Sequence, residues 1–487
     1  MAEPAVPQTA EGISLLRAHL VGVGGAGMSG IARILADRGF AVSGSDARDS
    51  AVLAGLAARG VLTAVGHDGA NLDLLPGRPT AVVVSTAVRP DNPEVLAARA
   101  AGIPVVRRAD ALAALMVGYR GVCVAGTHGK TSTTSMLTVA LQQVGLDPSF
   151  AIGGELTGSG LGAHHGSGDI FVAEADESDG SFLSFSPHAA IITNLEPDHL
   201  DHHGTAEAYT AVFDQFVDRI EPGGFLIACA DDPGSAALAG RTGLRRVVTY
   251  GRSDSAMVRL VDKVAAVDVG SDGGGATDAP AVRLADGRWV GLTLSVPGDH
   301  MLLNAVAAVA AGVELGVDPQ GLADGLAAYT GVRRRFELKG EVAGVTVYDD
   351  YAHHPTEVSA QIAAARGVLE SSVVSGGGRL VVVFQPHLYS RTVSFAGAFG
   401  RALAGADLVV VLDIYGARED PQPGVSGELI AAAVPAGTVS VLYHPDRPSA
   451  AAFVTGVLRP GDIVITMGAG DVTAIGPELL TLLAVSR

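Results

Sequence analysis

The sequence predicts an α/β fold built on parallel sheets that are buried on both faces. Two observations carry that expectation. Short, continuous β-branched runs recur along the chain, and Ala/Leu-rich helical stretches separate them. Length sets the number of cores: 487 residues, at about 150 per domain, suggest three.

Leu20–Val23 reads as the first strand, followed by a glycine turn and a helix through Arg38. Ala41–Ser45 and Ala81–Ser85 read as further strands of the same series. That series ends near Met116–Gly121, and Val122–Ala125 opens a second one, ahead of another glycine turn and a helix to about Val144. Phe171–Ala173, Ala190–Thr193 and Phe225–Ala228 repeat the pattern. Asp254–Asp286 breaks it with an acidic, Gly-rich stretch containing Ser271-Asp-Gly-Gly-Gly. It reads as a surface loop or a small antiparallel excursion. Met301–Val317, interrupted by Asn304 and Glu314, reads as a buried helix rather than a membrane span. The basic run Gly331–Phe336 lies after a helix and before a new strand. Leu380–Phe384, Leu408–Leu412 and Ile463–Met467 then continue the rhythm, with Ser371–Gly378 as a flexible surface loop. These breaks divide the chain into domains at 1–118, 119–330 and 331–487.

Composition excludes several classes. The chain carries 51 acidic against 33 basic residues, a formal charge of −18, and only three of the bases are lysines (Lys130, Lys263, Lys339). That charge leaves no global footprint for nucleic acid or an anionic membrane. Two cysteines do not make a disulfide scaffold and suit a reducing cytoplasm; Cys123, inside a strand, reads as core packing. The start has no basic residue before Arg17 and no long apolar core, so it does not read as a signal peptide.

Gly22-Val-Gly-Gly-Ala-Gly27 fits G-x-G-x-x-G between a strand and a helix, and Asp46 closes the next strand. Backbone amides at a helix N-terminus suit any pyrophosphate, so the loop does not choose between NAD and a UDP-sugar. Ala125-Gly-Thr-His-Gly-Lys-Thr-Ser132 lacks the first glycine of the full phosphate-loop pattern, since Val124 stands there, but keeps Gly129-Lys130-Thr131 on a strand–loop–helix boundary. Its amides would cradle phosphates, Lys130 would meet their charge, and a hydroxyl would touch Mg²⁺. Glu174 ends one strand, and Asn194, Asp198 and His199 follow the next. Strand ends are where α/β ligands collect, and a hard cation with phosphate wants one or two carboxylates. Glu174 and His199 are therefore the metal-ligand candidates, while Asp179, His202 and His203 read as loop and solvated groups. Val347–Glu357 and Phe384–Thr392 each end a strand in polar and ionisable groups, and together they read as one face of a site.

The segments HLVGVGGAGMSGIARIL, VVVSTAVRPDNPEV, VAGTHGKTSTT, EADESDGSF, NLEPDHLDHHGT, GVRRRFE, YDDYAHHPTEV and FQPHLYSRT, in this order, resemble the Mur ligase family. GMSGIA and DDYAHHPTE resemble its alanine-adding branch. Later-acting members often carry a carbamylated lysine after the His199 segment, and residues 200–262 here contain none. The resemblance implies an N-terminal Rossmann-like UDP-binding domain, a central P-loop-type ATPase with a mostly parallel sheet, and a C-terminal Rossmann-like domain. It implies a cytoplasmic monomer or homodimer that uses ATP and Mg²⁺ to join L-alanine to UDP-N-acetylmuramate through an acyl phosphate. Gly22, Gly24, Gly25, Ala26, Gly27, Asp46, Ser85 and Thr86 would then meet the UDP-sugar. Gly126, Thr127, His128, Gly129, Lys130, Thr131, Ser132, Asn304, Arg335 and Asp350 would meet ATP. Thr131, Glu174 and His199 would hold metal, with Lys130, Glu174, His199 and Arg335 as the catalytic set. Tyr351, His353 and Arg391 would surround alanine, Arg391 as the bidentate partner of its carboxylate. Some members read His-Arg-Tyr where this chain reads His387-Leu388-Tyr389. A relative that adds a tripeptide shares most of these motifs. An NAD oxidoreductase would leave Lys130 and Glu174 unexplained, and a non-catalytic nucleotide binder would not need His199 or Arg391.

Overall fold

The computed structural model describes residues 6–262, 280–371, 378–417, 419–437 and 439–485. Lys263, most of the Asp254–Asp286 stretch and the interior of Ser371–Gly378 lie outside them.

The first sheet contains β1 (Arg17–Val21), β2 (Ala41–Asp46), β3 (Leu62–Val65), β4 (Ala81–Val84) and β5 (Val105–Arg107), all parallel, in the order 3-2-1-4-5. β1 stops at Val21 rather than Val23 because Gly22 turns into the left-handed region at φ +75°. The edge strand β3 does not stand out in the sequence: its outer residues Leu62 and Val65 are exposed, so it lacks a continuous buried run.

Among the described residues the second sheet has ten strands. They are β6 (Arg120–Ala125), β7 (Ser149–Ala151), β8 (Ala163–His164), β9 (Ile170–Glu174), β10 (Ala189–Ile192), β11 (Phe225–Cys229), β12 (Val247–Gly251), β13 (Val258–Val261), β14 (Ala281–Arg283) and β15 (Trp289–Gly291), in the order 15-14-13-12-11-10-6-9-7-8. β6 lies between β9 and β10, so the ends of all three strands share one edge of the sheet. The acidic, Gly-rich stretch is flanked by an antiparallel excursion, since β13–β14 and β14–β15 pair antiparallel.

The third sheet contains β16 (Glu337–Val342), β17 (Val345–Asp350), β18 (Leu380–Phe384), β19 (Leu408–Val411), β20 (Ser440–Tyr443) and β21 (Ile463–Met467), in the order 16-17-21-18-19-20. Among the described residues, only β16–β17 pairs antiparallel in this sheet. β18 shows why such strands read as unbroken apolar runs. Leu380, Val382 and Phe384 enter one core, and Val381 and Val383 enter another on the opposite face.

By its contacts the chain divides into two compact units: Met1–Ser295 with Leu303–Thr330, and Val296–Leu302 with Gly331–Arg487. The first unit holds both the first and the second sheet. Its core is continuous from Leu20 and Leu35 through Leu112 and Leu115 to Phe182 and Phe216. The helix Arg108–Met116 packs on the turn Ser181–Ser184, where the Ser184 hydroxyl donates to Asp110 Oδ1 at 2.6 Å. Gly30 lies so close to β8 that a Cβ there would sit 2.9 Å from the Ala163 methyl. In the second unit the short piece Val296–Leu302 is held beside the helix Pro355–Ser371. A Cβ on Gly298 would come within 3.0 Å of Ala364, and His300 Nε2 lies 3.4 Å from Gln361 Nε2. The second boundary is thus not a single cut. No helix of the described residues is long and apolar enough to cross a membrane.

Phe182 stacks on Phe216 at 4.5 Å between centroids and meets Phe213 edge-on at 5.4 Å, fully buried. Phe182→Ala is expected to cost about 3–5 kcal/mol. Urea unfolding followed by circular dichroism should show a clearly lowered midpoint, and an unchanged midpoint would refute this placing of the core.

Candidate active site

The loop after β6 depends on two left-handed glycines. Gly126 has φ +133°, and a Cβ there would sit 2.2 Å from Thr193 Oγ1; Gly129 has φ +80°, and a Cβ there would sit 2.9 Å from Asn304 Oδ1. The segment after β10 clasps the loop. The His128 amide donates to Asn194 Oδ1 at 2.8 Å, and Asn194 Nδ2 donates back to the His128 carbonyl at 3.0 Å. Thr127 Oγ1 donates to the Glu196 carbonyl at 2.9 Å and accepts from the Glu196 amide at 3.0 Å. The helix Lys130–Gln143 begins at Gly129 with no side-chain cap, so its N-terminal amides and dipole are presented to an anion. Ser132 lies buried in its first turn.

Lys130 points back under this loop. Its ammonium donates to the carbonyls of Gly126 at 2.7 Å and Thr127 at 3.2 Å, and to Glu177 Oε1 at 2.9 Å. Burial opposes its charge, but Glu177 and Asp176 outweigh burial and hold the lysine above its ordinary range. Burial pushes the Glu177 carboxyl up to about 7 even against the Lys130 charge. Next to Lys130, Thr131 Oγ1 donates to Glu174 Oε1 at 3.1 Å, and the Gly153 amide donates to Glu174 Oε2 at 2.8 Å. An oxygen-only pair of this kind suits a hard divalent cation.

His199 is on the loop after β10, with a left-handed backbone at φ +51°; its amide donates to Asp198 Oδ1 at 2.8 Å, and its Nε2 lies 3.6 Å from Asp198 Oδ2. The expectation for its neighbour His203 changes. Instead of a solvated group, its Nε2 lies 2.9 Å from the Glu177 carbonyl oxygen, as its donor, and its ring packs edge-on to Tyr209. Glu177 is the residue that sequence reasoning passes over. Glu174 stands out because it ends a strand, but the buried lysine needs the acid three positions on.

In the first glycine loop, Gly22 has φ +75° and Gly25 precedes the helix Ala26–Asp37, which also lacks a side-chain cap. Gly25 and Ala26 are exposed, and Gly27 has no Cβ to meet the Arg108 side chain, which would lie 3.1 Å away. Asp46 accepts from the Gly24 amide at 2.9 Å and so pins the loop. Ser85 and Thr86 form the turn after β4. The first unit also holds a buried acid the motifs did not reveal. Glu94 accepts from Ser45 Oγ at 2.7 Å and from Asn71 Nδ2 at 2.5 Å, with His19 Nε2 3.6 Å away. Burial would raise its carboxyl, but the nearby His19 and the hydrogen bonds from Ser45 and Asn71 bring it down to about 2.

In the second unit, Asp350 is buried and accepts the amides of Phe336 at 2.6 Å and Ala352 at 2.7 Å, which anchors the backbone on either side of Arg335 and Tyr351. Burial raises it to about 7 despite Arg335. The guanidinium carbons of Arg334 and Arg335 lie 4.7 and 5.2 Å from the Tyr351 ring centre. Arg334, also passed over in the sequence, donates to the carbonyls of Gly468 at 2.6 Å and Gly470 at 3.1 Å. Its basic run is therefore not merely a solvated face. His353 packs edge-on to Tyr351 and to His387. Burial, with Arg391 and His387 nearby, holds its imidazole near 3, against the pull of Glu357. Arg391 is 7% exposed on the helix Tyr389–Leu403. Leu388, just before it, takes φ +69°, a costly conformation for a bulky side chain.

Comparisons with known proteins agree along the chain. Residues 17–120 match the Mur ligase family catalytic domain, 124–312 the Mur ligase middle domain, and 334–470 the Mur ligase glutamate ligase domain. A UDP-N-acetylmuramate–L-alanine ligase from Saccharopolyspora erythraea is 61% identical over 477 residues, 97% of this chain and 95% of that protein. One of the same name from Mycobacterium tuberculosis is 56% identical over 485 residues, again 97% and 95%. Among solved structures, the UDP-N-acetylmuramate–alanine ligase MurC of Thermotoga maritima aligns with a TM-score of 0.76 at 28% identity, covering 97% of this chain and 100% of that one. A murein peptide ligase from Psychrobacter arcticus aligns at 0.69 and 25%, covering 96% and 99%.

Gly126→Ala tests the loop geometry. Left-handed strain and the Thr193 clash should abolish measurable ATP binding while far-ultraviolet circular dichroism stays unchanged. Binding within about threefold of the unaltered chain would show that the loop is built differently.

Proposed function

The chain belongs to the Mur ligase family, and from that premise we propose that it joins L-alanine to the carboxylate of UDP-N-acetylmuramate at the expense of ATP, the reaction for which the relatives above are named. One observation carries the reading: a largely covered lysine and a Thr131–Glu174 oxygen pair at 3.1 Å share the strand edge beneath a two-glycine phosphate loop. That is equipment for moving a phosphoryl group, and a hydride transfer has no use for it. We place the reaction in the cytoplasm, as a step in making the peptidoglycan precursor, carried out by a monomer or homodimer.

The chemistry sets the need. A carboxylate is a weak nucleophile toward an anionic γ-phosphate, so charge must be neutralised and the partners aligned. The sugar-linked carboxylate oxygen bonds to the γ-phosphorus as the bond to the β-phosphate oxygen breaks, and ADP leaves. The amine of alanine then attacks the acyl carbon, phosphate departs, and the amine loses a proton. In our assignment Lys130 and the loop residues Gly126, Thr127, His128, Gly129 and Ser132 hold the phosphates. Asn304 lies over Gly129 on the adenine side. Arg335 meets the terminal phosphate, and Asp350 acts on the ribose side by fixing the backbone around that arginine. Thr131 and Glu174 would hold Mg²⁺, and His199 a second cation; such ions, when bound, neutralise phosphate charge. Gly22, Gly24, Gly25, Ala26, Gly27, Ser85 and Thr86 receive the sugar nucleotide, with Asp46 bracing their loop. Tyr351, His353 and Arg391 receive alanine, and Arg391 pairs with its carboxylate.

Phosphate release from ATP with UDP-N-acetylmuramate should rise with L-alanine and not with a tripeptide. Alanine-independent release would sink the reading, and preference for the tripeptide would favour the murein peptide ligase. Lys130→Ala should lower kcat by at least about 10²–10³-fold; retention of most of the rate would remove the phosphate assignment.

A further inference from the structure

We propose that Glu177 is the exchangeable counter-ion of Lys130, holding the lysine while the phosphate loop is empty, releasing it to incoming ATP, and taking up a proton in the exchange. The inference rests on the nucleotide part of the reading above and adds a residue and a proton to it.

Geometry makes the case. Glu177 is buried, with its side chain only 1% exposed, and Lys130 Nζ lies 2.9 Å from one of its oxygens and 2.8 Å from the other. Only Oε1 receives an aligned hydrogen bond from the lysine, and Oε2 is left without one. The three protons of Lys130 are all committed to protein acceptors: the Gly126 and Thr127 carbonyls and Glu177. A phosphate that recruits this lysine must displace one of them. The two carbonyls belong to the loop itself, so the side chain of Glu177 is the partner that can yield.

Once deprived of Lys130, a buried carboxylate would face the added negative charge of ATP. A dry, unpaired carboxylate next to phosphate is costly, and protonation relieves the cost. The groups around it do not replace the lysine. Asp176 on the same segment is an acid, and Tyr209, from the helix Ala206–Val217, offers only a 3.5 Å hydroxyl contact to Oε1, shared with Thr127 Oγ1 at 3.0 Å. His203, from the helix Leu200–His203, is spent on the Glu177 backbone carbonyl, and Glu174 and Asp198 add further negative charge near Lys130 and Tyr209. Burial already lifts the Glu177 carboxyl to about 7 with the lysine in place. Loss of the lysine raises it further. Binding therefore takes up a proton above neutrality, and affinity for ATP falls as pH rises from that value through the higher one of the bound state.

Titration calorimetry of magnesium–ATP binding, without sugar nucleotide, tests this at pH 8 in two buffers of different ionisation heat. The unaltered enzyme should take up between half a proton and one proton per nucleotide, and its Kd should weaken by up to about tenfold between pH 7.5 and 8.5. Glu177→Gln keeps the size and an acceptor for Lys130 but cannot titrate. It should bind ATP several-fold more tightly at pH 8, with no proton uptake and a flat pH profile, and with unchanged affinity for UDP-N-acetylmuramate. Nucleotide binding without proton uptake in the unaltered enzyme overturns the proposal alone, as does uptake that persists in Glu177→Gln. An unaltered enzyme that binds no nucleotide overturns the proposal together with the reading it rests on.

Discussion

A lysine head group under a phosphate loop must be neutralised in every state of the protein, and much of the local architecture follows from that requirement. Lys130 is largely covered behind Gly126 and Gly129, where no side chain fits. Two backbone carbonyls and one carboxylate answer its charge. That carboxylate is then itself buried: Tyr209, which also bonds Thr127, gives its Oε1 a 3.5 Å hydroxyl contact, and His203 serves the backbone carbonyl of the same residue. The loop after β10 participates by gripping Thr127 and His128, so the phosphate loop is shaped by a strand end from a different part of the sequence.

The parts of this architecture that rest on burial were legible in the sequence. β18, β10 and β11 are continuous apolar runs because both faces of each strand are covered, whereas a strand with one wet face would alternate apolar and polar residues. The glycine loops were legible for a related reason: their positions need conformations that other residues rarely adopt. Orientation inside a polar run was not legible. Glu174–Gly180 mixes four acids with three small residues, and nothing in their order says which acid turns inward. The Ser178 amide donating to Asp176 Oδ1, together with Gly180 at φ +69°, bends the chain so that Glu177 meets Lys130. Likewise three adjacent arginines look equivalent until Arg334 is seen tied to Gly468 and Gly470.

Net charge illustrates the same difference of scale. A chain of −18 is matched here with anionic ligands, and the conflict disappears locally. Uncapped helix N-termini, Lys130 and a few arginines supply positive charge locally.

The core that runs from the first sheet into the second has a practical meaning for anyone wishing to dissect the molecule. Phe182 is part of the EADESDGSF segment, yet the turn that carries it is covered by the helix Arg108–Met116 and bonded to Asp110. Truncation after that helix would uncover the apolar side of the turn and leave the Ser184 hydroxyl without its acceptor. Any fragment meant to keep the loop after β6 in shape should therefore begin at the first strand, because the first sheet and its helices also serve as part of the scaffold of the second.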